Sequence, residues 1–71
     1  MRTTVDASPR NIQEGKPPFV LTIYREGGRR DYIYFWIRST VDVVDRRLKK
    51  CKNQDDIDYI IDSYNRLEGK V

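Results

Sequence analysis

Histidine is missing from this 71-residue chain, and cysteine, methionine and tryptophan occur once each. Each scarcity closes off some chemistry. With Cys51 alone there is no intrachain disulfide. A structural zinc site takes about four Cys or His ligands, and one is present, so neither metal nor cofactor is expected. Without imidazole, general acid–base work falls to carboxylates, lysine or tyrosine with perturbed pKa values. No spacing in the chain pairs such groups, and Cys51 lies on the apolar stripe of a helix pattern, where a packed thiol is inert. The Walker pattern is absent, so Gly27-Gly28 reads as a turn and not as a phosphate loop. The expected class is non-enzymatic.

Long apolar runs are missing too. No segment approaches a membrane span, and the first twenty residues hold no apolar core of a signal peptide. No membrane partner is expected, and a single unpaired thiol fits a reducing, cytoplasmic setting. A chain this short buries only about 60% of its unfolded surface, and its core supplies a few kcal/mol at most. With disulfide and zinc excluded, a second subunit or a partner is the expected source of further stability.

Charge is present but segregated. The formal net charge is +3 and the pI about 9.2. Residues 1–52 hold twelve basic and six acidic side chains, whereas residues 53–71 hold two basic and five acidic ones. Asp55, Asp56, Asp58 and Asp62 are accounted for by the helix dipole, which favours acids in a first turn; their spacing is not that of a calcium loop.

Along the chain, residues 1–16 lack sustained periodicity and read as a mobile arm, with Thr3-Thr4-Val5 a candidate third strand. Residues 17–71 then form one small α+β domain. PPFVLTIYREGGRRDYIYFWIR is a β-hairpin pattern broken at Gly27-Gly28. A two-residue turn would pair Ile23 with Tyr32 and mix aliphatic with aromatic sets. The three-residue loop Glu26-Gly27-Gly28 pairs Phe19 with Phe35 and Leu21 with Ile33, and puts Gly28 at a left-handed position. A one-residue slip exchanges the faces, so burial selects the second register.

Two unlike faces result. One carries Phe19, Leu21, Ile23, Ile33, Phe35 and Ile37; the other carries Val20, Thr22, Tyr24, Tyr32, Tyr34 and Trp36, flanked by Arg30 and Arg38. STVDVVDRRLKKCK reads as a helix with a Ser39/Asp42 capping box and an apolar stripe of Val41, Val44, Leu48 and Cys51. Residues 53–70 read as a second helix, capped by Asn53, ended by Gly69, with Ile57, Ile60, Ile61, Tyr64 and Leu67 as its stripe. Both stripes need cover, and the aliphatic sheet face is the cover at hand. The expected fold is ββαα, with both helices on one face of the hairpin.

That arrangement leaves the rings facing outward. Sheet-borne aromatics ringed by cations suit nucleic acid, because bases stack on rings and phosphates seek cations. The candidate contact residues are Tyr24, Arg25, Arg29, Arg30, Tyr32, Tyr34, Trp36 and Arg38. Arg46, Lys49 and Lys50 of the first helix join them if that helix and the hairpin tip share a side. The expected function is a regulatory or accessory nucleic-acid-binding protein. The alternative is a protein-interaction module on the same face (a homodimer, an adaptor or an inhibitor of a larger complex), since Tyr and Trp are equally enriched at protein interfaces.

Overall fold

A computed structural model describes the backbone of residues 2–68 and the side chains of residues 2–65. Strand β1 (Arg2–Ala7) and a four-residue helix α1 (Arg10–Gln13) precede the hairpin of β2 (Phe19–Tyr24) and β3 (Arg30–Phe35). Helices α2 (Arg38–Lys49) and α3 (Gln54–Glu68) follow. The strands form one antiparallel sheet in the order β1-β2-β3.

The hairpin register is the expected one. Phe19 pairs with Phe35, Leu21 with Ile33 and Tyr24 with Arg30. Arg25 donates its N–H to the Arg29 carbonyl at 2.8 Å, closing the loop Glu26-Gly27-Gly28. Gly27 and Gly28 both take left-handed backbone, φ +76° and +81°, a region that costs an L side chain roughly 1–2 kcal/mol. Both helices pack on the aliphatic face, as expected. Leu21, Ile23, Ile33 and Phe35 from the sheet close on Val41, Val44, Leu48, Ile57 and Ile61, with Phe19, Cys51, Ile60 and Tyr64 packed around them.

Four local expectations change. The candidate third strand is six residues long instead of three, so the expected arm is built into the sheet along the whole of β2. Strand β3 ends at Phe35, one turn of alternation early, because the chain must leave the sheet to enter α2. Ile37 therefore does not join the buried face; it stands 63% exposed at the helix N-cap. The helix starts at Arg38, ahead of Ser39, and no side chain caps it. The Ser39/Asp42 box is unformed: Ser39 lies inside the helix, whose cap is Ile37, and the Asp42 carboxylate pairs with Arg38 at 2.8 Å. The second cap is made: Asn53 Oδ1 accepts the Asp56 N–H at 2.8 Å. Leu67 as a packed side chain and Gly69 as a helix stop lie outside the described residues. Among the described residues no helix is long and apolar enough to cross a membrane.

Candidate functional site

The sheet face opposite the helices is assembled by register. Residues directly opposite in antiparallel strands point to the same side, so three rows cross it: Arg2–Tyr24–Arg30, Thr4–Thr22–Tyr32 and Asp6–Val20–Tyr34. Rows lie about 7 Å apart along the strands and neighbouring strands about 4.8 Å apart. Tyr32 and Tyr34 are 44% and 45% exposed. Thr22, in the centre, is buried at 6%; the face has a small polar floor and a ring-bearing rim on β3.

The first row is electrostatically organised. The Arg2 guanidinium stands 4.6 Å from the centroid of the Tyr24 ring, and that of Arg30 stands 5.6 Å from it. Both distances lie within the range of cation–π attraction. Tyr24 therefore holds one cation from each neighbouring strand, and its ring is already engaged. Arg2 was not among the residues the sequence pointed to; the signal for it is the register of β1, which sets Arg2 across from Tyr24. Asp6 occupies the other end of β1 on the same face, so the charge of this surface is small and positive at the Arg2/Arg30 end.

Trp36 sits just beyond β3 and is half-buried. Its indole Nε1 is buried with no acceptor, the one such side-chain atom among the described residues. The expected fully presented ring is thus a partly packed one at the edge of the face.

Several predicted residues lie elsewhere. Arg25 continues the Leu21, Ile23 alternation and points to the helix side. Its side chain is 5% exposed, with Nη1 at 2.8 Å from both Asp31 and Asp58. Its Nε and Nη2 donate to Gln54 Oε1 at 3.0 and 2.7 Å. Burial disfavours its charge, yet the hydrogen bonds and charges of Asp58 and Asp31 outweigh that, and its pKa rises. Such a residue ties β2, β3 and α3 together and is not free to meet a phosphate. Arg29 is exposed at the loop, with Asp31 at 3.8 Å. Arg38 opens α2, paired with Asp42.

Arg46, Lys49 and Lys50 are exposed on α2, hence in the helical layer on the other side of the sheet. Lys49 is paired with Asp45 at 3.1 Å, and Arg46 donates to the Asp42 carbonyl at 3.4 Å. The condition for grouping them with the aromatic face, a shared side, is not met. Asp45 also accepts the Thr3 hydroxyl at 2.6 Å, fastening β1 to α2.

A hollow of about 220 Å³ at the α2–α3 connection is bordered by Leu48, Cys51, Asn53 and Ile57 among others, below the roughly 300–1,000 Å³ of ligand pockets. Cys51 donates its thiol to the Arg47 carbonyl at 3.3 Å; burial, with Asp56 adding, pushes its pKa up, away from the nucleophilic form. Among the described residues no cluster of three or more His, Cys, Asp or Glu side chains could hold a metal ion. Comparisons with protein-family models, curated proteins and solved structures find no match.

Proposed function

We propose that the chain is a non-enzymatic nucleic-acid-binding protein that uses the open face of its sheet. The observation that carries this reading is the first row together with its neighbours. Two guanidinium groups are held over one tyrosine at one end of a face whose β3 side presents Tyr32 and Tyr34 to solvent. Arg2 and Arg30 would meet phosphates, and Tyr32 and Tyr34 would take bases. Stacking needs unpaired bases, and base–aromatic stacking is worth about 1–3 kcal/mol per base; single strands should therefore bind more tightly than duplex of the same sequence.

The test is fluorescence anisotropy with labelled oligonucleotides of mixed sequence, titrated from low to moderate salt. Binding should weaken as salt rises. Tyr34→Ala should weaken it at every salt concentration, Arg30→Ala should also flatten the salt dependence, and Lys50→Ala should leave it unchanged. Absence of salt-sensitive binding to either form of DNA or RNA would remove the proposal.

One observation favours a second reading. Asp6 stands opposite in sign to Arg2 on the same strand and face, and Arg25, Arg38 and Lys49 are paired internally. The face is aromatic but near neutral, as a protein contact surface would be. Binding of a protein partner through Tyr34 that barely responds to salt is the outcome belonging to that reading.

A further inference from the structure

We infer that β1 is the contact strand of a two-fold dimer in which the sheets of two copies of this chain join edge to edge. The inference does not rest on the nucleic-acid reading: the edge contact leaves Tyr24, Arg30, Tyr32 and Tyr34 open and shares only Arg2 with that reading.

Among the described residues, no strand pairs with the outer side of β1. This strand is the first of a three-stranded sheet, so one of its sides presents a row of free backbone N–H and C=O groups. Proteins that stay monomeric protect such edges with proline, charged side chains (lysine above all), bulges or very short strands; the charges of β1, Arg2 and Asp6, are opposite in sign and so can pair between copies instead of repelling. RTTVDA has no proline and no lysine, pairs with β2 without interruption over six residues, and has Val5 36% exposed on its helix-side face.

Charge then selects one register. A two-fold axis perpendicular to the sheet pairs β1 with its own copy antiparallel about one central residue. Centred on Thr4, it places Arg2 opposite Asp6 of the other copy, twice, and Thr3 opposite Val5, twice. Directly opposite residues on one face have Cβ atoms about 4.5–5.5 Å apart, close enough for ion pairs. Centring on Thr3 or Val5 loses both charge pairs. The other edge strand offers no such match: in β3, Arg30 and Asp31 are adjacent and point to opposite faces.

The layers also fit. Helix α2 packs on β2 and β3 and touches β1 only through the Asp45–Thr3 hydrogen bond, so two α2 helices seated over the β2 strands would lie about three strand spacings, about 14 Å, apart. That exceeds the 8–10 Å at which helices meet, and both helical layers lie on the same side without collision. The result is a six-stranded sheet with helices behind and one continuous open face. The dimer also supplies the stabilisation that a chain of this size lacks.

The experiment is sedimentation equilibrium of the full chain without nucleic acid, at low salt, over a concentration series. The wild type should shift from the 8.5 kDa monomer to twice that mass. Arg2→Asp sets acids opposite acids, and Asp6→Arg sets bases opposite bases; each should weaken self-association about tenfold or more, a change of roughly 1.4 kcal/mol. An equimolar mixture of the two variants regains both complementary pairs and should dimerise as a heterodimer. Far-UV circular dichroism matching the wild type confirms that the variants are folded. A wild type monomeric at millimolar concentration would overturn the inference, as would a dimer indifferent to both variants, or a mixture that fails to restore association. Since no oligonucleotide is present, failure here is separate from failure of the binding proposal.

Discussion

Arg25→Ala is the substitution on which the local geometry makes its firmest demand. The side chain is 5% exposed and bonded to Asp31, Asp58 and Gln54, so its loss removes packing and charge pairing together. The partners differ in weight. Asp58 is 57% exposed and returns to water cheaply, so its pair is worth no more than an exposed one, at most about 1 kcal/mol. Asp31 is 29% exposed and stands between that case and a fully buried pair, where removing one partner costs roughly 3–5 kcal/mol. Truncation also withdraws buried methylenes, each worth up to about 0.8 kcal/mol. A total loss of about 2–3 kcal/mol follows, because the contributions overlap in one hydrogen-bonded cluster.

That loss is a large part of the roughly 3–5 kcal/mol that a core of this size supplies. It should appear in urea unfolding followed by far-UV circular dichroism as a lower midpoint with an unchanged slope. Arg25→Met, which keeps the stem, should recover about half of it. Arg25→Lys should fall short of the wild type, because an ammonium is a point charge and cannot offer the planar fork of donors that three acceptors engage here. A loss below about 0.5 kcal/mol, the range of ordinary surface substitutions, would refute the reasoning. Unchanged stability with abolished oligonucleotide binding would return Arg25 to the phosphate-contacting role that the sequence pointed to.

Two further predictions concern the hairpin loop and the thiol. Gly28 is left-handed, and a Cβ there meets nothing within 4 Å, so Gly28→Ala should cost about 1 kcal/mol of purely backbone origin, a fall in Tm of roughly 4–8 °C; Gly28→Asn should cost less, and no change in either melt would contradict the turn. The Cys51 pKa is raised on folding, so the folded state holds the proton more tightly. Its stabilising contribution is complete below the ordinary thiol value of 9.0 and is lost as pH rises through the folded value. Iodoacetamide should accordingly modify Cys51 more slowly in the folded chain than in urea, with a pH–rate midpoint shifted upward. A midpoint at or below that of the unfolded chain would exclude the hydrogen-bonded, partly packed thiol.

The hairpin, its register and the core were legible because burial constrains them strongly: slipping Phe19 off Phe35 by one residue would turn every apolar side chain outward. Two misplacements share one cause, the length over which a periodic rule is extended. Alternation carried two residues past Phe35 misplaces Ile37. Stopped one residue too soon at Tyr24, it hid the fact that Arg25 belongs with Leu21 and Ile23 on the helix side. Arg2 was missed because Arg2–Ala7 has little apolar alternation of its own, and only pairing with β2 reveals which residues share the aromatic face. The sequence leaves Arg46, Lys49 and Lys50 conditional on a shared side, and their helical spacing, outward from Val41, Val44 and Leu48, separates them from that face once both helices cover the aliphatic one.

That separation bears on how the binding proposal is to be decided. The molecule has two basic regions on opposite layers, Arg2 with Arg30 on the sheet and the outer surface of α2. A short single strand on the sheet face can neutralise about two phosphates there, and counterion release gives a slope of about −0.7 per phosphate contact. The expected dependence of log K on log salt is therefore shallow, about −1.5. Engagement of Arg46, Arg47, Lys49 and Lys50 would give roughly twice that slope, and it would also have to break the Lys49–Asp45 pair and the Arg47–Tyr64 hydrogen bond. A shallow slope abolished by Arg2→Ala with Arg30→Ala places the ligand on the sheet. A steep slope that survives this double substitution and falls with Lys49→Ala and Lys50→Ala would move the site to the helical layer, and the tyrosine face would then be left to a protein.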